Sequence, residues 1–137
     1  MSDNRVTVVL DTNVFVAAYW APSSASARVI AACIDGTVQA QYTPEVRSEV
    51  IRVLRTIRIP DSYLAKLEPF WERACRTHGV TVGYLTVDDP DDQKFIEAAV
   101  GGDTDFLVTN DDHLLKVAYI GRTEILTPGS LARVLGV

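Results

Sequence analysis

Asp11, Glu49, Asp92 and Asp111 are the residues of this 137-residue chain whose type and placement point to chemistry. Asp11 stands in Asp11-Thr12-Asn13, directly after the β-branched run Val6 to Leu10, and Asp111 in Thr109-Asn110-Asp111, directly after Phe106 to Val108. Both runs read as buried strands. An acid between a strand and a helix either caps the helix by accepting a first-turn N–H or faces a ligand beyond the carboxyl end of the sheet. The sequence leaves both uses open for Asp11 and Asp111. Asp92 is harder to assign to a cap. At about 100° per residue it shares a helical face with Phe95, Ile96 and Ala99 and so points inward, whereas Asp91 points away and Asp89, before Pro90, suits the cap. Glu49 falls about 60° from Val46, at the edge of an apolar stripe. There it either pairs with Arg52 or Arg55 as a boundary acid or joins the other three, while Glu45 lies further toward solvent.

An inward-facing carboxylate needs a partner, because an unpaired buried charge is costly. No cation is expected on the faces that carry these acids, so in a shared site they would repel one another. A hard divalent cation relieves the repulsion. Mg²⁺ and Mn²⁺ suit carboxylate and water ligands, and the chain lacks the Cys and His clusters that zinc prefers. His78 and His113 are its only imidazoles, and His113 reads as a surface residue.

The elements that must position the acids alternate along the chain. A helix over Val14 to Trp20 stops near Pro22, and a second over Ala25 to Ile34 is closed by Gly36. Val38 to Tyr42 reads as a strand. Pro44 to Arg58 reads as a helix capped by Thr43, with its stripe centred near Val46, Val53 and Ile57, and Pro60 ends it. Ser62 to His78 follows as one helix, kinked or broken at Pro69. A strand lies within Val80 to Val87, weakened by Gly83, before a helix over Asp91 to Val100. Beyond the strand Phe106 to Val108 come a short helix over Asp112 to Lys116, a strand over Glu124 to Leu126 and a helix over Ser130 to Leu135. This alternation predicts an α/β sandwich around a mainly parallel sheet, in one domain spanning residues 1–137.

Composition agrees with a packed domain: 47 % of residues are apolar and 23 % charged, far from the pattern of disordered chains. No apolar run is long enough for a membrane helix and no basic-then-apolar leader opens the chain, so a soluble cytoplasmic protein is expected, with no membrane partner. Cys33 and Cys75 are far apart in helical-looking segments and read as core residues. The net charge of −5 argues against a generic basic nucleic-acid binder. Between Asp88 and Asp112 nine acids face Lys94 alone, which leaves the rest of the chain at about +3. Arg47, Arg52, Arg55 and Arg58 sit on one helix, as a solvated face or as a phosphate-binding rim.

Val8-Val9-Leu10-Asp11-Thr12-Asn13-Val14-Phe15, the helix holding Glu49, Asp88-Asp89-Pro90-Asp91-Asp92-Gln93-Lys94-Phe95 and Phe106-Leu107-Val108-Thr109-Asn110-Asp111 resemble, in order and spacing, the PIN-domain nucleases. The resemblance extends to Ile125-Leu126-Thr127-Pro128 and is closest to the toxin components of prokaryotic toxin–antitoxin pairs. It implies a three-layer α/β/α sandwich and an endoribonuclease dependent on Mg²⁺ or Mn²⁺. Asp11, Glu49, Asp92 and Asp111 match the family's acidic quartet, and Thr12 or Asn13 and Thr109 its polar support positions. Asn110 stands where the family often has Gly, which leaves Asp111 and Asp112 both in play. The resemblance also implies a homodimer and a protein antitoxin whose Arg or Lys enters the acidic groove.

In that reading the carboxylates hold metal for hydrolysis of an RNA phosphodiester, leaving a 5′ phosphate and a 3′ hydroxyl, with a proton-transfer role open to Glu49 or Asp92. Single-stranded or looped RNA is the expected substrate, and Arg47, Arg52 and Arg55 are the candidate RNA contacts. Two other readings compete. An aspartyl-phosphate phosphatase would use Asp11 as nucleophile, but it commonly needs a second acid at the position held by Asn13. A PIN fold without activity would serve as a binding module.

Overall fold

A computed structural model describes residues 4–81 and 90–137, with the backbone alone for 90 and 91. β1 (Thr7–Leu10) leads into α1 (Thr12–Trp20), α2 (Ala25–Asp35) and β2 (Gln39–Tyr42). Then come α3 (Pro44–Thr56), α4 (Asp61–Lys66), α5 (Glu68–Arg73) and β3 (Cys75–Arg76). After the undescribed segment come α6 (Pro90–Gly101), β4 (Phe106–Val108), α7 (Asp112–Leu115), β5 (Tyr119–Ile120), β6 (Thr123–Leu126) and α8 (Pro128–Leu135). The sheet order is β3-β2-β1-β4-β6-β5, parallel throughout except for the β5–β6 pair. With helices on both faces of the sheet, this is the α/β sandwich that the alternation of strand and helix predicts. Among the described residues no helix is long and apolar enough to cross a membrane.

The local reasons are those of ordinary capping. Ser24, Thr43 and Thr127 each accept a first-turn N–H of the helix that follows, and Pro44 and Pro128 occupy first-turn positions where a missing N–H costs nothing. Thr127 and Pro128 therefore start α8 ahead of Ser130. Gly36 closes α2 at φ +89°, a conformation that an L side chain resists. Val8 and Val9 of the central strand are fully buried, as a strand covered on both faces requires. Phe15 of α1 stacks on Trp71 at 5.6 Å and meets Phe70 edge-on at 5.1 Å, which fixes α1 against α5.

Between Ser62 and His78 the helix is broken next to Pro69, as expected, but it does not continue to His78. Pro69 cannot extend a helix from the preceding turn, so α4 ends at Lys66 and α5 begins anew at Glu68. Beyond Arg73 the chain is extended: Cys75 and Arg76 form β3 along the open edge of β2, with Thr77 N–H donating to Tyr42 O at 2.8 Å. Cys75 is accordingly exposed and not a core residue. Cys33 is buried as expected, and burial pushes its thiol up to about 12. β5 was not foreseen; its two residues turn back onto β6 through Gly121 at φ +58°. The buried stripe of α3 runs through Val46, Val50 and Leu54, while Ile57 is 43 % exposed. Of the strand expected within Val80 to Val87, residues 82–87 lie outside the described residues, as do Asp88 and Asp89 and the side chain of Asp91.

The strand order reverses at β1, which has β2 on one side and β4 on the other. In open parallel sheets a crevice forms beyond the carboxyl ends of the strands at such a reversal. At the opposite ends of β1 and β4 a compact lock holds them in register. Asp105 Oδ2 accepts from the N–H and hydroxyl of Thr7, Asp105 N–H donates to Thr7 Oγ1, and Arg122 bonds Asp105 Oδ1. Burial raises the Asp105 carboxyl, but these donors outweigh it and hold it below the usual range. A depressed folded-state value adds stability above the unfolded carboxylate range and loses it as pH falls through the lowered value. Asp105→Asn should cost about 1–2 kcal/mol at pH 7, with the deficit shrinking below about pH 4; urea melts at the two pH values check it, and a pH-independent deficit would refute the ionic part.

Candidate active site

Asp11 N–H donates to Val108 O at 2.9 Å, so the pairing of β1 with β4 continues to the first acid. Asp11 Oδ1 accepts from Thr12 N–H at 2.7 Å and caps α1, while Oδ2 accepts from the Thr109 hydroxyl at 2.7 Å and the Asn13 amide at 3.1 Å. Thr109 is fully buried, and its Oγ1 also accepts from Asp111 N–H at 2.9 Å. Asn13 Oδ1 accepts from Asn110 N–H at 3.1 Å. One hydroxyl and one amide thus tie the loop after β1 to the loop after β4. Asp111 caps α7 by accepting from His113 N–H at 2.9 Å. Capping and facing the crevice, alternatives in the sequence, are the same placement for both acids.

Asp11, Glu49, Asp92 and Asp111 line one cleft of about 300 Å³, together with Thr12, Asn13 and the apolar wall of Val16, Val53 and Phe95. Asp11 is 5 % exposed, and Glu49 and Asp92 are each 8 % exposed. Asp92 shares its buried face with Phe95, Ile96 and Ala99, as the helical periodicity requires. Asp112 is exposed in the first turn of α7 and does not line the cleft.

The expectation that no cation shares these faces is wrong. Lys94 Nζ stands 2.9 Å from Glu49 Oε1, and Arg52 reaches the same oxygen at 2.8 Å. Lys94 is offset from Asp92 by about 200° around α6, so a wheel places it away from the cleft. Its four methylenes nevertheless span the gap from α6 to α3, a reach that periodicity does not encode. Of the other candidate RNA contacts, Arg47 packs over the Trp71 ring at 5.4 Å and Arg55 is exposed.

The acids differ electrostatically. Burial raises the Asp11 carboxyl, the hydrogen bonds of Thr109 and Thr12 oppose it, the charge of Asp111 adds to the rise, and the outcome lies above the usual range. Burial also raises Glu49, but Lys94 and Arg52 overcome it and hold the carboxyl below its usual range. Both cations use Oε1; Oε2 takes no hydrogen bond among the described residues.

Among the described residues no three His, Cys, Asp or Glu groups close around a point where they could together hold an ion. The donor set is nonetheless that of a water-rich Mg²⁺ or Mn²⁺ site: four carboxylate residues from separate segments lining one small cleft. Thr12 Oγ1 is buried at its wall with no hydrogen-bond partner among the described residues, a polar atom that a hydrated ion in the cleft would satisfy. The residues present therefore fit a hydrated divalent cation.

The Glu49 clamp has a measurable consequence. A depressed folded-state carboxyl stabilises above the unfolded value and loses that contribution as pH falls through the folded one. Lys94→Met should cost about 1–2 kcal/mol at pH 7 and progressively less below about pH 4. Chemical denaturation across that range would show it; a variant as stable as the parent at pH 7 would contradict the clamp.

The sequence model of the PIN domain family matches residues 7–126. No curated protein matches the chain significantly. Among solved structures, the fold is similar to a chain of VapBC2 from Rickettsia felis bound to a DNA fragment from their promoter, with a TM-score of 0.65 and 16 % sequence identity, over 89 % of this chain and 98 % of that one. The matched span holds β1 through β6, and with them all four acids of the cleft, so the protein belongs to the PIN domain family.

Proposed function

We propose that this PIN-domain protein is an Mg²⁺- or Mn²⁺-dependent endoribonuclease, the toxin of a cytoplasmic toxin–antitoxin pair. The observation that carries the reading is the convergence of Asp11, Glu49, Asp92 and Asp111 on one cleft beyond the carboxyl ends of β1 and β4. Family membership supports the nuclease part, and the fold shared with a VapBC2 chain supports the toxin part. A protein antitoxin that lays an Arg or Lys into the cleft would offset the same negative charge, and a homodimer is the assembly that the family resemblance implies.

When bound, a divalent ion supplies the positive charge that acidifies an attacking water and offsets the charge of the scissile phosphate. The chain supplies the geometry. Thr109, Asn13 and Thr12 hold the Asp11 carboxylate in one orientation, and Oδ1, with a single hydrogen bond, keeps a lone pair for a ligand. Asp111, fixed by its own capping bond, faces the cleft from the next strand. Glu49, held ionised by Lys94 and Arg52, is better suited to holding a cation at Oε2 than to accepting a proton. Arg52, 62 % exposed at the rim, is the best placed of the arginines to meet a phosphate. The Asn13 amide is spent on Asp11 and offers no proton to a leaving group, which disfavours the aspartyl-phosphate route.

Purified protein is expected to cleave a labelled single-stranded RNA with Mg²⁺ or Mn²⁺ and to be silent in EDTA. Asp11→Asn should reduce the rate by about 10² or more, the usual scale for losing a directly engaged group. Cleavage that survives EDTA, or an Asp11→Asn protein of equal purity that cuts as fast as the parent, would refute the assignment.

A further inference from the structure

A second groove, about 520 Å³ in volume, opens beside the acidic cleft and shares Asn13 and Val16 with it. Its wall is of a different kind. Asn13, Ser24, Ser26, Asn110, Pro128 and Gly129 contribute to it, and no Asp or Glu does among the described residues. Two helices begin at this wall, α2 behind Ser24 and α8 behind Thr127. The first N–H groups of a helix have no acceptor within it. Ser24 Oγ answers Ala27 N–H and Thr127 Oγ1 answers Ser130 N–H, which leaves the N–H groups of Ala25, Ser26 and Gly129 at the groove. The dipoles of both helices raise the potential there.

The Ser26 hydroxyl is an independent sign of a ligand. Ser26 is only 4 % exposed and lines the groove, yet its side chain has no hydrogen bond to any described residue. Capping does not explain it, because Ser24 already caps α2. Among fully buried side-chain polar atoms of the described residues only Thr12 Oγ1 lacks a partner, so the Ser26 hydroxyl is not sealed off: it keeps access to the groove it lines, where it can donate to an acceptor that arrives there.

We propose that this groove seats a phosphate of the nucleic-acid strand, adjacent to the phosphate that lies over the acidic cleft, with the N–H groups of Ala25, Ser26 and Gly129 and the Ser26 hydroxyl as donors. The proposal rests on the nuclease reading and deepens it. The acidic cleft repels phosphate until a cation is present, whereas this groove attracts phosphate through neutral donors alone. A strand that crosses Asn13 from one to the other is thereby held in register, and the donors read phosphate and not base, so the grip is independent of sequence.

Gly129 allows a clean test. A Cβ there meets only Thr127 Oγ1, at 3.9 Å, and an acid in the first turn of α8 favours the helix, so Gly129→Asp keeps the fold while placing a carboxylate in the anion seat. Amide NMR would follow inorganic phosphate added to the wild-type protein and a short single-stranded RNA added to Asp11→Asn protein, with RNA affinity read by fluorescence anisotropy. Both probes should move the Ala25, Ser26 and Gly129 resonances. Gly129→Asp should weaken RNA binding by about tenfold, or ~1.4 kcal/mol, while leaving the Mn²⁺-induced thermal shift intact. RNA that binds equally well to the Gly129→Asp protein would overturn the proposal and spare the nuclease reading. If phosphate moves these amides but RNA neither binds nor is cleaved, the nuclease reading has failed and the nucleic-acid seat falls with it. Amides unmoved by either probe would rule out an anion site altogether.

Discussion

Asp11 is 5 % exposed, and its carboxylate is held in place by hydrogen bonds from Thr109, Asn13 and Thr12. A buried ionised acid is tolerable only with such donors, and each of them requires a particular piece of fold. Thr12 N–H faces Asp11 only if α1 starts directly after β1. The Thr109 hydroxyl reaches it only if β4 lies beside β1 in the register that pairs Leu10 with Val108. Asn13 completes the arrangement by accepting from Asn110 N–H, which anchors the loop that carries Asp111. The reversal of strand order at β1, the two helix starts and the position of the fourth acid all follow from housing this one charge.

The walls around that charge divide its surroundings into regions of different potential. Along α3 and α6, Lys94 and Arg52 neutralise Glu49 through a single oxygen and leave the other open. At the cleft itself, burial and the charge of Asp111 raise the cost of ionising Asp11, which makes the site receptive to a cation. Beyond Asn13, helix starts and hydroxyls replace carboxylates. Under the proposed function, an acidic protein of net charge −5 would approach a polyanion locally, because the groups that would meet phosphate are dipoles and a bound cation more than an excess of lysine and arginine.

Much of this was legible in the sequence, for reasons that differ by residue. Asp92 announced itself because an acid on the same face as Phe95, Ile96 and Ala99 must point inward, and it does. Thr43, Pro44 and Gly36 fixed helix ends through local chemistry that needs no tertiary context. The losses were tertiary. The Lys94 contact depends on the gap between α3 and α6, and β3 depends on an open edge of β2, which no pattern in residues 74–78 reveals. Asp111 lines the cleft and Asp112 does not, because Asp111 leaves the strand before the helix turns away. The second groove was invisible because it is built from N–H groups and small residues of segments far apart in the chain.

The central claim is that the carboxylates of the cleft act together as the seat of a divalent cation. Thermal melts of the wild-type protein and of Asp92→Asn, with and without Mn²⁺ at pH 7.5, test it without reference to any substrate. A ligand that binds only the folded state at about 100 times its Kd adds roughly 2.7 kcal/mol, so the wild-type melting temperature should rise clearly with Mn²⁺. The Asp92→Asn protein, lacking one of the four acids, should gain distinctly less. Equal Mn²⁺ shifts in the two proteins, or none in either, would contradict the claim.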